Sequence, residues 1–185
     1  MVDVNADAPR VISEDYRRLQ QLLHENPAYG VASLQFAHIV KQVAEQIGAT
    51  SISDYGAGKM HLDRALRGLG MALDYRPYDP AFPDYGPPRP ADLVCCIDVL
   101  EHIEPVYLDP VLDDLGRITV GHGLFSIHTG PAAKHLADGR NAHLIQRPAS
   151  WWLPRLCRRF EVDALQKSPG GFFIIVSPLA ATGTA

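Results

Sequence analysis

Acids and imidazoles recur in this chain at the ends of apolar runs, where a folded sheet would bring them together. The run Ser51-Ile-Ser-Asp54 ends in an acid and passes at once into Tyr55-Gly56-Ala57-Gly58. A turn free of Cβ atoms between a strand and a helix lets a ligand approach backbone N–H groups at a helix N-terminus. That is chemistry for holding a phosphate or a nucleotide-like molecule. A second apolar run, Asp92-Leu-Val-Cys-Cys-Ile97, leads into Asp98-Val-Leu-Glu-His102, and His128 closes a third, Gly123-Leu-Phe-Ser-Ile127. A histidine at a strand end is suited to general-base work. His128 is the first candidate and His143, in the polar loop beyond it, the second. Taken singly, each also reads as a histidine that only braces a loop.

These residues need elements to position them. A first helix is expected from about Ser13, a good N-cap, with Tyr16, Leu19, Leu22 and Leu23 on one face. Asn26-Pro-Ala-Tyr-Gly30 breaks it. A second helix carries Phe36, Ile39, Val40, Val43 and Ile47 at helical spacing and stops at Gly48. A strand over Ser51 to Asp54, the glycine turn and a helix over Lys59 to Gly68 follow. The next strand is expected over about Met71 to Tyr75, leading to Tyr78-Asp79-Pro80. Prolines at 77, 80, 83, 87, 88 and 90 exclude a helix after it. Asp109-Pro110 reads as an N-cap and first-turn pair opening a helix. A polar loop runs from His128 to about Arg147, and a helix from Pro148 to Phe160. Strands over Glu161 to Gln166 and Phe172 to Ser177 flank the hairpin signal Ser168-Pro-Gly-Gly171. The pattern is α/β, a doubly wound Rossmann-like sheet closed by a C-terminal antiparallel hairpin. One domain is expected: a helical lid over 1–48, a core over 51–178 and a tail over 179–185.

The totals narrow the partners. With 185 residues, 46% hydrophobic and 21% charged, the chain can bury a full core. A net charge of −4 gives no global attraction to nucleic acid or to an anionic membrane. No apolar run has the length of a bilayer span, and the acidic N-terminus lacks a signal-peptide core. Of the three cysteines, Cys95 and Cys96 are adjacent in an apolar run, so all three, Cys157 included, are expected to be small reduced core residues. A cytoplasmic protein is expected.

A dinucleotide fingerprint reads G-x-G-x-x-G, but here Met60 and His61 follow Gly56-Ala-Gly58-Lys and no third glycine appears. The pattern D-x-G-x-G at Asp54 instead resembles motif I of the class I S-adenosylmethionine-dependent methyltransferases. Cys96-Ile-Asp-Val-Leu-Glu-His-Ile103 is similar to that family's fourth-strand motif, and the final hairpin to its sixth and seventh strands. The likeness covers roughly Ser51 to Pro178. It extends to small orphan methyltransferases of bacteria and phages through Asp138-Gly-Arg-Asn-Ala-His-Leu144 and Trp151-Trp152.

The resemblance implies S-adenosylmethionine as cofactor and methyl transfer to a small or medium acceptor, such as a sugar-like or nucleotide-like molecule. It implies that Tyr55, Gly56, Ala57 and Gly58 pack their backbone against the cofactor, with nearby N–H groups meeting its carboxylate. Asp54 would accept from its amino group, and Asp79, about twenty residues past the glycines, with Pro80 beside it, would bind the ribose diol. Asp74 is the competitor, placed inside the expected strand. Asp98 would lie beside the methionine moiety, and His102 joins His128 and His143 as a catalytic candidate. One departure is plain: about a dozen residues separate Asp79 from Leu93, so the family's third strand is shortened or missing and its adenine-contacting acid is lost. Phe82 and Tyr85 are candidates to stack on the base.

Asp98, Glu101 and His102 are also similar to a metal-binding pattern in some ubiquinone-pathway O-methyltransferases, but capping and packing is the preferred role and no metal is assigned. Tyr29 and Gly30 are lid candidates, and one of Trp151 and Trp152 is a candidate for the acceptor pocket. Arg147, Arg155, Arg158 and Arg159 read as a solvated basic face. The alternatives are a non-catalytic cofactor-binding module of the same fold and, less favoured, a nicotinamide oxidoreductase.

Overall fold

The computed structural model describes residues 10–180. Its centre is a six-stranded sheet in the order β2-β1-β3-β4-β6-β5. The strands are β1 (Ser51–Tyr55), β2 (Asp74–Tyr78), β3 (Ala91–Ile97), β4 (Thr119–His128), β5 (Phe160–Ser168) and β6 (Gly171–Pro178). β2, β1, β3 and β4 pair in parallel, whereas β6 runs antiparallel between β4 and β5. The helices are α1 (Glu14–His24), α2 (Ala32–Ile47), α3 (His61–Gly68), α4 (Leu108–Ile118) and α5 (Ala149–Leu156).

The apolar strand β3 is buried on both faces, as a central parallel strand must be. Leu93, Cys95 and Ile97 pack with Val40, Val43, Leu62 and Leu66 of α2 and α3. Val94 and Cys96 point the other way, toward Val111, Leu115, Trp152 and Leu156 of α4 and α5. Strand alternation therefore sends the adjacent cysteines into opposite layers, both fully buried. Cys157 departs from its expected core place: it caps α5 and is exposed.

Several boundaries move. β2 begins three residues later than expected, at Asp74, and reaches Tyr78, so Asp79 stands at its C-terminal end. Asp74 lies at the opposite end of the strand, exposed and paired with Arg76, which removes it as a ribose ligand. α3 starts at His61, and α5 ends at Leu156 because Phe160 already belongs to β5. Asp109 falls inside the first turn of α4, since a short 3-10 turn, Pro105–Tyr107, precedes it. Among the described residues no strand lies outside β2, whose neighbour is β1 alone; the proline-rich stretch holds only a 3-10 turn, Pro83–Tyr85.

α1 does not pack on the sheet. Ser13 caps it, accepting from the Tyr16 N–H, and Ile12 and Tyr16 pack with Leu136 and Leu144 of the loop after β4. The Ser13 hydroxyl and N–H both donate to Glu104, and the Tyr16 hydroxyl donates to the His102 carbonyl at 2.6 Å. The N-terminal segment thus roofs the C-terminal ends of the central strands. That end is where the strand order reverses between β1 and β3, the usual ligand crevice of an open α/β sheet. Among the described residues, no helix is long and apolar enough to cross a membrane.

Candidate functional site

A cavity of about 370 Å³ opens at this switch point. Asp54, Tyr55, Gly56, Ala57, Gly58, Asp79 and Pro80 line one end of it. Asp98 lies in the middle, and His102, His128 and His143 line the other end. The structure therefore brings these eleven residues to one cavity.

The glycine end is built from backbone. Gly56 has φ +85°, and a Cβ there would lie 2.4 Å from a Val99 methyl; Gly58 has φ +48°, and a Cβ there would lie 2.8 Å from the His24 ring. Only glycine suits such a positive φ with neighbours so close. The Gly56 and Ala57 N–H groups donate to the Tyr78 carbonyl at 2.8 and 3.0 Å, and the Gly58 N–H donates to Asp79 Oδ2 at 3.0 Å. These three donors are spent inside the turn. The glycines thus supply close approach, and their own N–H groups are engaged within the protein.

Asp79 also accepts from the Ala81 N–H at 2.8 Å, so both of its oxygens are fixed while each keeps a lone pair. Burial raises its pKa against the pull of those two bonds. Asp54 is buried and accepts from the Tyr75 hydroxyl; burial pushes it up to about 7. Phe82 and Tyr85 do not line the cavity. Phe82 packs between His24 and Tyr85, and the Tyr85 hydroxyl donates to the Gly58 carbonyl at 2.8 Å. Pro80 and Ala81, in contrast, reach the cavity wall.

The opposite end is built from side chains. Asp98, the residue after β3, sits in the left-handed region at φ +57°, with its N–H donating to the Ser126 hydroxyl at 3.0 Å. Aspartate tolerates that conformation better than most residues, and such local strain clusters at functional sites. His102 ends the 3-10 turn Leu100–His102, and its Nδ1 lies 2.8 Å from the Ala142 carbonyl. His143 Nδ1 lies 2.8 Å from the Gly130 carbonyl. A carbonyl can only accept, so Nδ1 carries a proton in both rings, and Nε2 has a lone pair whenever the ring is neutral. Burial lowers His102 to about 4, which keeps it neutral at pH 7. The three rings stand in a row, His102 to His143 at 4.7 Å and His143 to His128 at 4.9 Å between centroids.

His128 is turned differently from the expectation that ranked it first. Its Nδ1 lies 3.2 Å from both the N–H and the carbonyl of Gly130, and its Nε2 faces Gly170 so closely that a Cβ there would lie 2.3 Å away. His143, by contrast, is anchored through Nδ1 on the Gly130 carbonyl. Glu101 braces all three. It is fully buried, its side chain accepts from the His128 N–H, and its carbonyl accepts from the Ile145 N–H at 2.9 Å. Burial, then Asp98 beside it, raises its carboxyl well above the usual range.

His24 was not foreseen. At the end of α1 it reads in sequence as a helix-terminal cation, yet it lines the cavity over Gly58, and burial lowers it to about 4. Tyr29 stands edge-on between His24 and His102, and Gly30 also lines the cavity. Trp151 does not line it: Arg155 covers its ring at 3.6 Å, and Trp152 is fully buried in the core. Arg159 is tied to Asp109 and Asp113.

No protein-family model matches the chain, and no curated protein sequence matches it. Solved structures do. A Burkholderia thailandensis 1,6-didemethyltoxoflavin-N1-methyltransferase, with bound 1,6-didemethyltoxoflavin and S-adenosylhomocysteine, is similar at a TM-score of 0.59 and 13% identity, over 97% of this chain and 98% of that one. DhpI in its SAH complex gives 0.59 and 15% identity, over 90% and 98%. An O-methyltransferase family protein from Burkholderia thailandensis gives 0.55 and 11% identity, over 86% and 62%. At such identities the likeness is one of fold: the chain has the class I methyltransferase architecture.

Proposed function

We propose that this chain is an S-adenosylmethionine-dependent methyltransferase with a small or medium acceptor, sugar-like, nucleotide-like or heterocyclic. The observation that carries the reading is a single cavity with a two-glycine turn and two buried acids at one end and a row of three histidines at the other. The residues suit the cofactor: a Cβ at Gly56 or Gly58 would collide with the cavity walls, and Asp79 keeps lone pairs for a diol. Asp54 complements an ammonium group, and Pro80 and Ala81 flank a flat base.

Bound S-adenosylmethionine supplies an electrophilic methyl group on a sulfonium. The chain's own part is alignment, exclusion of water and removal of one proton. α1 and Tyr29 roof the cavity. His143 Nε2 takes the proton that the acceptor oxygen or nitrogen gives up, while the Gly130 carbonyl holds the ring in the required tautomer. The Burkholderia neighbour holds a small heterocycle, which supports an acceptor of that size. Incubation with tritiated S-adenosylmethionine and a panel of small hydroxyl and ring-nitrogen acceptors is expected to label at least one of them. Cofactor binding with no label in any acceptor of the panel or of a cell extract would favour the non-catalytic module instead.

A further inference from the structure

Asp98 brings a carboxylate oxygen, and His102 and His143 a ring nitrogen each, within 4.8 Å of one another at the wall of the cavity. The two rings come from distant segments, yet both have Nδ1 anchored on a backbone carbonyl, at 2.8 Å in each case. With its Nδ1 proton committed to a carbonyl, each ring in its neutral form presents Nε2 as an acceptor, and the carboxylate adds more lone pairs. Three acceptor groups converge, and none has a donor left for the others. A cation resolves such a cluster.

We propose that Asp98, His102 and His143 bind a divalent transition-metal ion of the zinc type, with an open coordination position toward the cavity. Two imidazoles and one carboxylate suit borderline ions such as Zn²⁺ or Co²⁺; Mg²⁺ and Ca²⁺ prefer oxygen alone. An imidazole whose second nitrogen donates to a backbone carbonyl is the ordinary arrangement of a metal ligand, since that bond fixes the tautomer and the ring direction. Ligand bonds of about 2.0–2.2 Å require the three atoms to close up slightly, which small side-chain rotations supply. The left-handed backbone of Asp98 aims its carboxylate from the end of β3, and buried Glu101 ties the 3-10 turn to the loop that carries His143. Glu101 acts here as a brace through Oε1, which accepts from the His128 N–H, while its buried Oε2 makes no hydrogen bond.

Three protein ligands leave room for one more, as in catalytic zinc sites. With the ion bound, His143 Nε2 is a ligand and no longer the base; an acceptor hydroxyl at the open position would instead lose its proton more readily to water, as metal-bound water does. That use of the ion rests on the methyl-transfer reading, whereas the site itself does not.

The full-length chain, freed of metal with a chelator, is titrated with Co²⁺ and followed by visible absorption and equilibrium dialysis. One equivalent is expected to bind, with d–d bands of a four- or five-coordinate ion that Zn²⁺ displaces. His102→Ala and His143→Ala are each expected to weaken binding by more than about tenfold, and the exposed His38→Ala is expected to leave it unchanged. Thermal melting of each variant separates ligand loss from misfolding, and His143→Gln provides a second, shape-conserving test. No stoichiometric binding by the wild type, or equal binding by folded variants, would overturn the proposal. Neither result bears on whether S-adenosylmethionine binds.

Discussion

The two ends of the cavity are made in different ways. The glycine end lies between residues 51 and 81 and is shaped by backbone: two positive-φ glycines, and N–H groups locked onto Tyr78 and Asp79. The histidine end draws on the turn after β3, the tip of β4, the loop beyond it and α1, and it is shaped by side chains. Local geometry fixes the first end, and long-range bonds through Glu101 and Tyr16 fix the second. A defect in the first should therefore abolish ligand binding and cost stability. A defect in the second should leave binding intact and stop the chemistry.

Gly56→Val breaks the first end hardest. The new side chain meets Val99 at a positive φ, so S-adenosylhomocysteine binding is expected to vanish in calorimetry, with a stability loss of about 2–4 kcal/mol in denaturant melts. Tight binding by this variant would refute the role of the turn. His143→Ala breaks the second end. The methylation rate is expected to fall by about 10²-fold or more, with S-adenosylhomocysteine affinity within about threefold of wild type. An equal loss of both would erase the distinction between the two ends.

A smaller effect comes from pH. The folded pKa of Asp54, about 7, lies above its unfolded value near 4. Its contribution to stability is thus fully present below about pH 4 and is lost as pH rises through about 7. Asp54→Asn is expected to reduce the fall in Tm between pH 5 and pH 8 by several degrees. An unchanged profile would show that Asp54 is not the group titrating.

How far each end is legible in the sequence follows from how it is made. The Asp54-to-Gly58 turn announces itself because strand, acid and glycines are consecutive. Asp79 is reachable by spacing, although β2 begins later than its apolar residues suggest: Met71 and Leu73 pack beside the α2–α3 layer outside the strand. The histidines are visible one by one, but no spacing says that the 40 residues of chain between His102 and His143 fold back to set the rings 4.7 Å apart. Their order of merit was hidden for the same reason, since the Gly130 carbonyl and Gly170 decide which nitrogen is free. His24 was invisible because α1 packs on a loop rather than on the sheet. Phe82 and Tyr85 were misread because aromatic residues near a nucleotide-like site suggest stacking, whereas here they stack on each other, 5.7 Å apart.

The most direct measurement is a calorimetric titration of the wild-type chain and of Asp79→Ala with S-adenosylhomocysteine. One site per chain is expected in the wild type, with affinity lost by roughly tenfold or more in the variant, as removal of a charged hydrogen-bond acceptor implies. Absence of binding by the folded wild-type chain, or equal binding by both proteins, would contradict the assignment of the glycine end to S-adenosylmethionine.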